Sequence, residues 1–242
     1  MRRFLFSILV ITIFNSCFIK EKKTFSICYD PYFTNLVLDG QEKNFNGFIK
    51  DFLLSLAKDE KIEIKLIEGS FDNIFQNLQK NEYMAVLSNL QPLNFNQAKY
   101  SFSNPFLNVG FCLVVNKGQK KTSLESFSNV NIGYIESEKS FNIINQYENI
   151  FPKPYLNLPS LFNDLKNENI AAGVTFLVPT YKYVNDLYYD DLKIVKFLDN
   201  DAIRLIALKD QNLDLIKIFN SYYKKLEENG RLKKLKDKWQ IE

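Results

Sequence analysis

Apolar residues recur along this chain in two rhythms, and the rhythms predict its elements. Residues 25–29 form a short β-rich run closed by Asp30-Pro31, and Ile62, Ile64 and Leu66 alternate with Lys61, Glu63 and Lys65 as in a strand with one covered face. Between them, Phe48, Phe52, Leu53 and Leu56 fall on one side of a helix over residues 47–58. A second helix over 71–79 and a third strand over 83–87 complete a β-α-β-α-β order, which predicts a mostly parallel sheet flanked by helices. Pro105 removes a backbone donor and pushes Asn104 out of the helical region, so Ser103-Asn104-Pro105 reads as a fixed turn. The continuous apolar run 111–115 suits a strand buried on both faces.

A second unit opens at Lys120. Asn131-Ile132-Gly133-Tyr134-Ile135 predicts a strand, residues 140–147 and 158–167 predict helices, and 170–175 a short strand. Residues 179–186 are polar and aromatic, and 194–197 begins the return to the first unit. A strand over 203–208 and an amphipathic helix over 213–226 follow, stopped by Asn229-Gly230, and a lysine-rich helix runs to Trp239.

Composition narrows the chemistry. With 242 residues, 46% of them hydrophobic, the chain can bury a core in one or two domains. Histidine is absent, which excludes Ser-His and Cys-His nucleophile pairs and imidazole metal sites, and no cofactor is implied. Arg2 and Arg3 precede an apolar stretch over residues 4–14 that is too short to span a bilayer, the pattern of a signal peptide over residues 1–16. Its removal leaves a nearly neutral chain, against the expectation for a nucleic-acid binder. Cys28 and Cys112 lie in predicted strands, either paired or as two buried thiols.

Phe14-Asn15-Ser16-Cys17 resembles a lipobox, with Phe14 in place of the usual aliphatic residue. Cys17 would then be the lipidated N-terminus, residues 17–24 a tether, and the protein exported and membrane-anchored, facing the periplasm or cell exterior. The alternative is an ordinary signal peptide with an incidental cysteine.

Tyr100-Ser101-Phe102-Ser103-Asn104-Pro105-Phe106 with the strand after it, Gly47-Phe48, Leu124-Glu125-Ser126-Phe127 and the closing Glu228-Asn229-Gly230-Arg231 and Lys238-Trp239 carry a family resemblance. Over roughly residues 25–240 the chain resembles the bacterial extracellular solute-binding proteins of the polar amino-acid family. The resemblance implies an α/β, two-lobed periplasmic-binding-protein-like fold of type II. Each lobe is then a mixed, mostly parallel sheet with flanking helices, and two strand crossings join the lobes. On this reading residues 25–115 plus 200–242 form lobe 1, and residues 116–199 form lobe 2. A ligand would lie in the cleft between them, and closure would present it to a transporter.

The family's ligand anchors fall on altered residues. The arginine that grips an amino acid's carboxylate corresponds to Asn96, and the glycine and first threonine of that loop to Asn89 and Gln91, preceded by Ser88. The second lobe's donor loop corresponds to Ser137-Glu138-Lys139, the ammonium-binding aspartate to Phe176, and a further aspartate to Ala171. Beyond these positions, Asp30 serves either a ligand cation or hydroxyl, or its own turn. Tyr32, Phe33 and Phe71 serve either a ligand or the core. Arg204 either replaces the lost carboxylate clamp or is a surface residue at a strand start. Lys233, Lys234, Lys236 and Lys238 form a solvated helix face or a docking surface.

The function expected is a monomeric solute-binding lipoprotein, not an enzyme. It would serve an importer of the ATP-binding-cassette class, its partners being a small polar ligand, the permease and the membrane. Its ligand is not expected to be a standard charged amino acid. The alternative is a surface or periplasmic interaction lipoprotein that keeps the fold without loading a transporter. An enzyme using Asp30, Glu136 or Glu138 as acid or base comes third.

Overall fold

The computed structural model describes residues 22–241, so the signal peptide and Cys17 lie outside the described residues. Lobe 1 begins with β1 (Thr24–Tyr29), α1 (Glu42–Asp59), β2 (Glu63–Glu68), α2 (Ile74–Gln79) and β3 (Ala85–Ser88). It continues through α3 (Asn94–Gln97), β4 (Tyr100–Phe102) and β5 (Leu107–Asn108). Lobe 2 holds β6 (Phe111–Asn116), β7 (Val130–Ile135), α4 (Glu138–Ile144), β8 (Ile150–Tyr155), α5 (Leu158–Lys166), β9 (Ala172–Phe176), α6 (Leu177–Asp186) and β10 (Leu192–Phe197). The chain then returns to lobe 1 with β11 (Ala202–Leu208), α7 (Leu213–Glu228) and α8 (Arg231–Trp239).

Two mixed sheets result, ordered β2-β1-β3-β11-β4 in lobe 1, with β5 also on β11, and β10-β6-β9-β7-β8 in lobe 2. In each, β-α-β units make three strands parallel, β2-β1-β3 and β9-β7-β8, while the strands next to the crossings, β11 and β6, run antiparallel to their neighbours in those trios. Phe111–Asn116 pairs with β9 and β10, so the whole of this strand belongs to lobe 2. The first crossing is therefore at Val109-Gly110, before the apolar strand, rather than after residue 115 as the sequence suggested. The second spans residues 198–201, and the two run side by side, with Val109 N–H donating to Asp201 O at 2.9 Å and Leu198 N–H to Phe111 O at 2.8 Å.

The core of lobe 1 is aromatic. Phe52 and Phe106 have ring centroids 4.6 Å apart, and Phe219 and Tyr222 close on Phe52 at 5.3 and 5.5 Å. Tilted ring pairs of this kind contribute about 0.5–1.5 kcal/mol each beyond area burial. α1 begins five residues before the sequence reading because Phe45, one turn ahead of Phe48 and Ile49, extends its buried face. Phe33 is buried against Tyr29 and Phe45, and its ring belongs to the core.

Three elements of lobe 2 lay beyond the sequence pattern or shifted against it. Residues 179–186 belong to α6, whose Pro179 sits in the first turn, where the missing N–H has no helical partner to lose. Val178, on the same helix, reaches into the lobe 1 core. β8 carries Pro152 and Pro154, tolerated because β8 is an edge strand paired only with β7. α4 begins at Glu138 rather than Ser140, capped by Ser137. Cys28 and Cys112 are buried free thiols in different sheets, and burial pushes Cys112 up to about 12 against the hydrogen bonds of Thr175 and Thr180. Among the described residues no helix is long and apolar enough to cross a membrane.

Candidate functional site

The carboxyl ends of β7, β8 and β9 face lobe 1 and open into an interlobe cavity of about 360 Å³. Ile135, Leu156, Leu158 and Phe176 supply its lobe 2 wall, and Val37 and Asp39 its lobe 1 rim. Phe176 reaches it because it ends β9, where its ring also packs at a tilt on Phe111, with centroids 4.7 Å apart. Tyr183 of α6 lies across from Asp39, and burial, together with that carboxylate, pushes its phenol up.

A second polar centre sits at the crossings. Lys139, in the first turn of α4, pairs with Asp199 at 2.8 Å and with Asp201. Burial acts to lower its ammonium's pKa, but the hydrogen bonds to the two carboxylates outweigh burial and hold it above the ordinary lysine value. Asp201 also accepts from Gln91 Nε2 of lobe 1, so one carboxylate joins both lobes. Asp199 Oδ1 accepts the backbone N–H of Phe111 at 3.3 Å and of Asp201 at 3.2 Å. The sequence reading included Gln91 and Lys139 but neither Asp199 nor Asp201. The one signal for them was Asp-Asn-Asp directly before the returning strand.

The other candidates are engaged in various ways. Asn96 is buried and donates to Gln91 O at 2.8 Å, holding the loop that carries Gln91. Asn89 accepts from Asn35 Nδ2, and the buried Ser88 hydroxyl accepts from Leu90 N–H at 3.3 Å. Ser137 caps α4, its hydroxyl accepting from Ser140 N–H at 3.2 Å, while Glu138 is exposed on the same turn. Asp30 spends its carboxylate on its own turn, accepting from Tyr32 N–H at 2.9 Å, Thr34 N–H at 3.0 Å and Thr34 Oγ1 at 2.7 Å. Tyr32 is exposed and Phe71 half-buried.

Arg204 is a buried residue opposite Ser88 on β11. Its guanidinium curls back to the second crossing, donating to Ala202 O at 3.1 Å and Asn200 O at 3.2 Å. Burial lowers its pKa, against the charge of Asp201. Among the described residues no cluster of histidine, cysteine or acidic side chains could hold a metal ion.

Residues 25–242 match the sequence profile of the bacterial extracellular solute-binding proteins, family 3. The chain belongs to this family. Its members are extracellular, so the chain is exported. The arginine-binding extracellular protein ArtP of Bacillus subtilis is 25% identical over 203 residues, 81% of this chain and 78% of that protein. The L-cystine-binding protein TcyJ of Escherichia coli is 21% identical over 224 residues, 91% of this chain and 84% of that protein. The L-cystine solute receptor of Neisseria gonorrhoeae, solved in an unliganded open conformation, superposes with a TM-score of 0.70 at 17% identity, covering 90% of this chain and 93% of that one. At that identity the likeness is one of fold.

Proposed function

We propose that this family member is an extracytoplasmic receptor of an ATP-binding-cassette importer, held to the membrane through lipidated Cys17, which captures a ligand other than a standard charged amino acid. The observation that carries the reading is the cavity between the lobes, walled by Phe176 where a zwitterion's ammonium would require an acid. Asn96 and Lys139 support it: the first is an amide spent on Gln91 O, the second a cation spent on Asp199 and Asp201. Neither is free to take a ligand carboxylate without giving up those partners.

Thermal-shift screening of the mature protein, followed by small-angle scattering, tests this. A ligand that binds only the folded state stabilises it by about 2.7 kcal/mol at a hundredfold excess over Kd. The cognate ligand is expected to raise Tm with concentration and shrink the radius of gyration. Arginine, glutamine and glutamate are expected to do neither, and tight stabilisation by any of them would overturn the altered-ligand reading.

A further inference from the structure

The cavity beside Phe176 has a charge balance that names a ligand class. Among the described residues Asp39 is the only charged side chain lining it, and there it forms no ion pair. No cation among the described residues lines the cavity opposite Asp39. Lys139 is held by Asp199 and Asp201, and Arg204 is bonded to two carbonyls. A carboxylate placed here would be desolvated without a counter-ion, an unfavourable exchange. An ammonium, by contrast, would meet a carboxylate beside two aromatic side chains, Phe176 and Tyr183.

Apart from Asn157, whose side chain caps α5, the remaining walls are apolar and open to solvent. Leu156 is 85% exposed and Val37 51% exposed at the two sides of the cavity, so apolar surface stands ready to be covered from both lobes at once. Its volume, about 360 Å³, falls in the lower part of the range for small-molecule sites.

Resting on the solute-binding reading, we propose that this cavity takes a small monoamine with an apolar or aromatic body and no carboxylate. The ammonium lies on Asp39, and the body lies between Phe176 and Leu156. A ligand placed this way touches both lobes, so its binding favours the closed arrangement.

Isothermal titration calorimetry of the exported chain with three probes tests the class: 2-phenylethylamine, phenylalanine, which adds a carboxylate, and 3-phenylpropionate, which has no amine. The amine is expected to bind about tenfold or more tighter than either of the others. Asp39→Asn is expected to erase that preference. Leu156→Gln, at a side chain too exposed for folding to depend on it, is expected to weaken the amine while leaving Tm unchanged. Equal or tighter binding of phenylalanine overturns the ligand class, as does an amine affinity unmoved by Asp39→Asn. Scattering with a panel of extracellular solutes separates the two levels: closure with a non-amine overturns the class and keeps the receptor reading, whereas no closure with any solute overturns both.

Discussion

Gly110 illustrates how a single residue sets the geometry of the crossings. A Cβ built on it would overlap the carboxylate of Asp199, which is itself held by Phe111 N–H, Asp201 N–H and Lys139. Gly110→Ala must therefore eject that carboxylate from its partners or bend the crossing, and is expected to cost about 1–3 kcal/mol in urea denaturation. Gly118→Ala, where a Cβ meets nothing within 4 Å, should stay within about 0.5 kcal/mol of the parent. Equal stability of the two variants would mean that the contact does not matter. Gly110 was legible in the sequence only as a residue near a strand start, since its neighbour Asp199 is 88 residues away from Phe111 along the chain. Asn96 and Phe176, by contrast, could be singled out from the sequence, because each falls on a position that the family resemblance defines.

Among the elements, α8 shows most directly how docking depends on charge. The Trp239 ring fills the space that Gly47 leaves on α1, and its indole donates to Asp51 Oδ2 at 2.9 Å beside Lys238 at 2.5 Å. Arg231, at the other end of α8, pairs with Asp59 at 2.7 Å. The Lys238 ammonium, opposed by burial and helped by the indole, holds the Asp51 carboxyl below its ordinary value, and Arg231 does the same for Asp59. A depressed carboxyl contributes stability that is complete above its unfolded pKa, about 3.8 for both groups, and is lost as pH falls through the lower folded value. Emission from Trp239, the only tryptophan in the chain, should therefore shift to the red below about pH 3.8, and Asp51→Asn should flatten this dependence. A spectrum unchanged between about pH 5 and pH 2 would show that α8 docks without these pairs. The helix and its amphipathic partner α7 were readable from spacing and the Asn229-Gly230 stop. α6 was not, because Tyr, Thr and Val favour helix weakly and Pro179 masks its start.

For the whole molecule the question is what holds the lobes relative to each other. Lys139 ties lobe 2 to the second crossing, and Asp201 passes that tie to Gln91 in lobe 1; Lys182 of α6 also reaches Gln240 beyond α8 at 3.3 Å. Lys139 keeps 43% of its side chain exposed, so solvent screening limits the clasp to the order of 1 kcal/mol or less, enough to bias a hinge but not to lock it. Lys139→Gln should therefore widen the interlobe distance distribution measured by electron-spin distance methods, and high salt should shift the parent protein the same way. Coincident distributions for variant and parent would remove the clasp from the account of closure. By itself the sequence determined the elements, whose periodicities are local, and the exclusion of imidazole chemistry, which follows from composition. Only the tertiary structure decided that β6 belongs to the second sheet, because a strand apolar on both faces carries no mark of its pairing partner. It alone also decided which polar groups satisfy one another: Lys139 and Asp201 stand 62 residues apart, and only the fold brings their charges within reach.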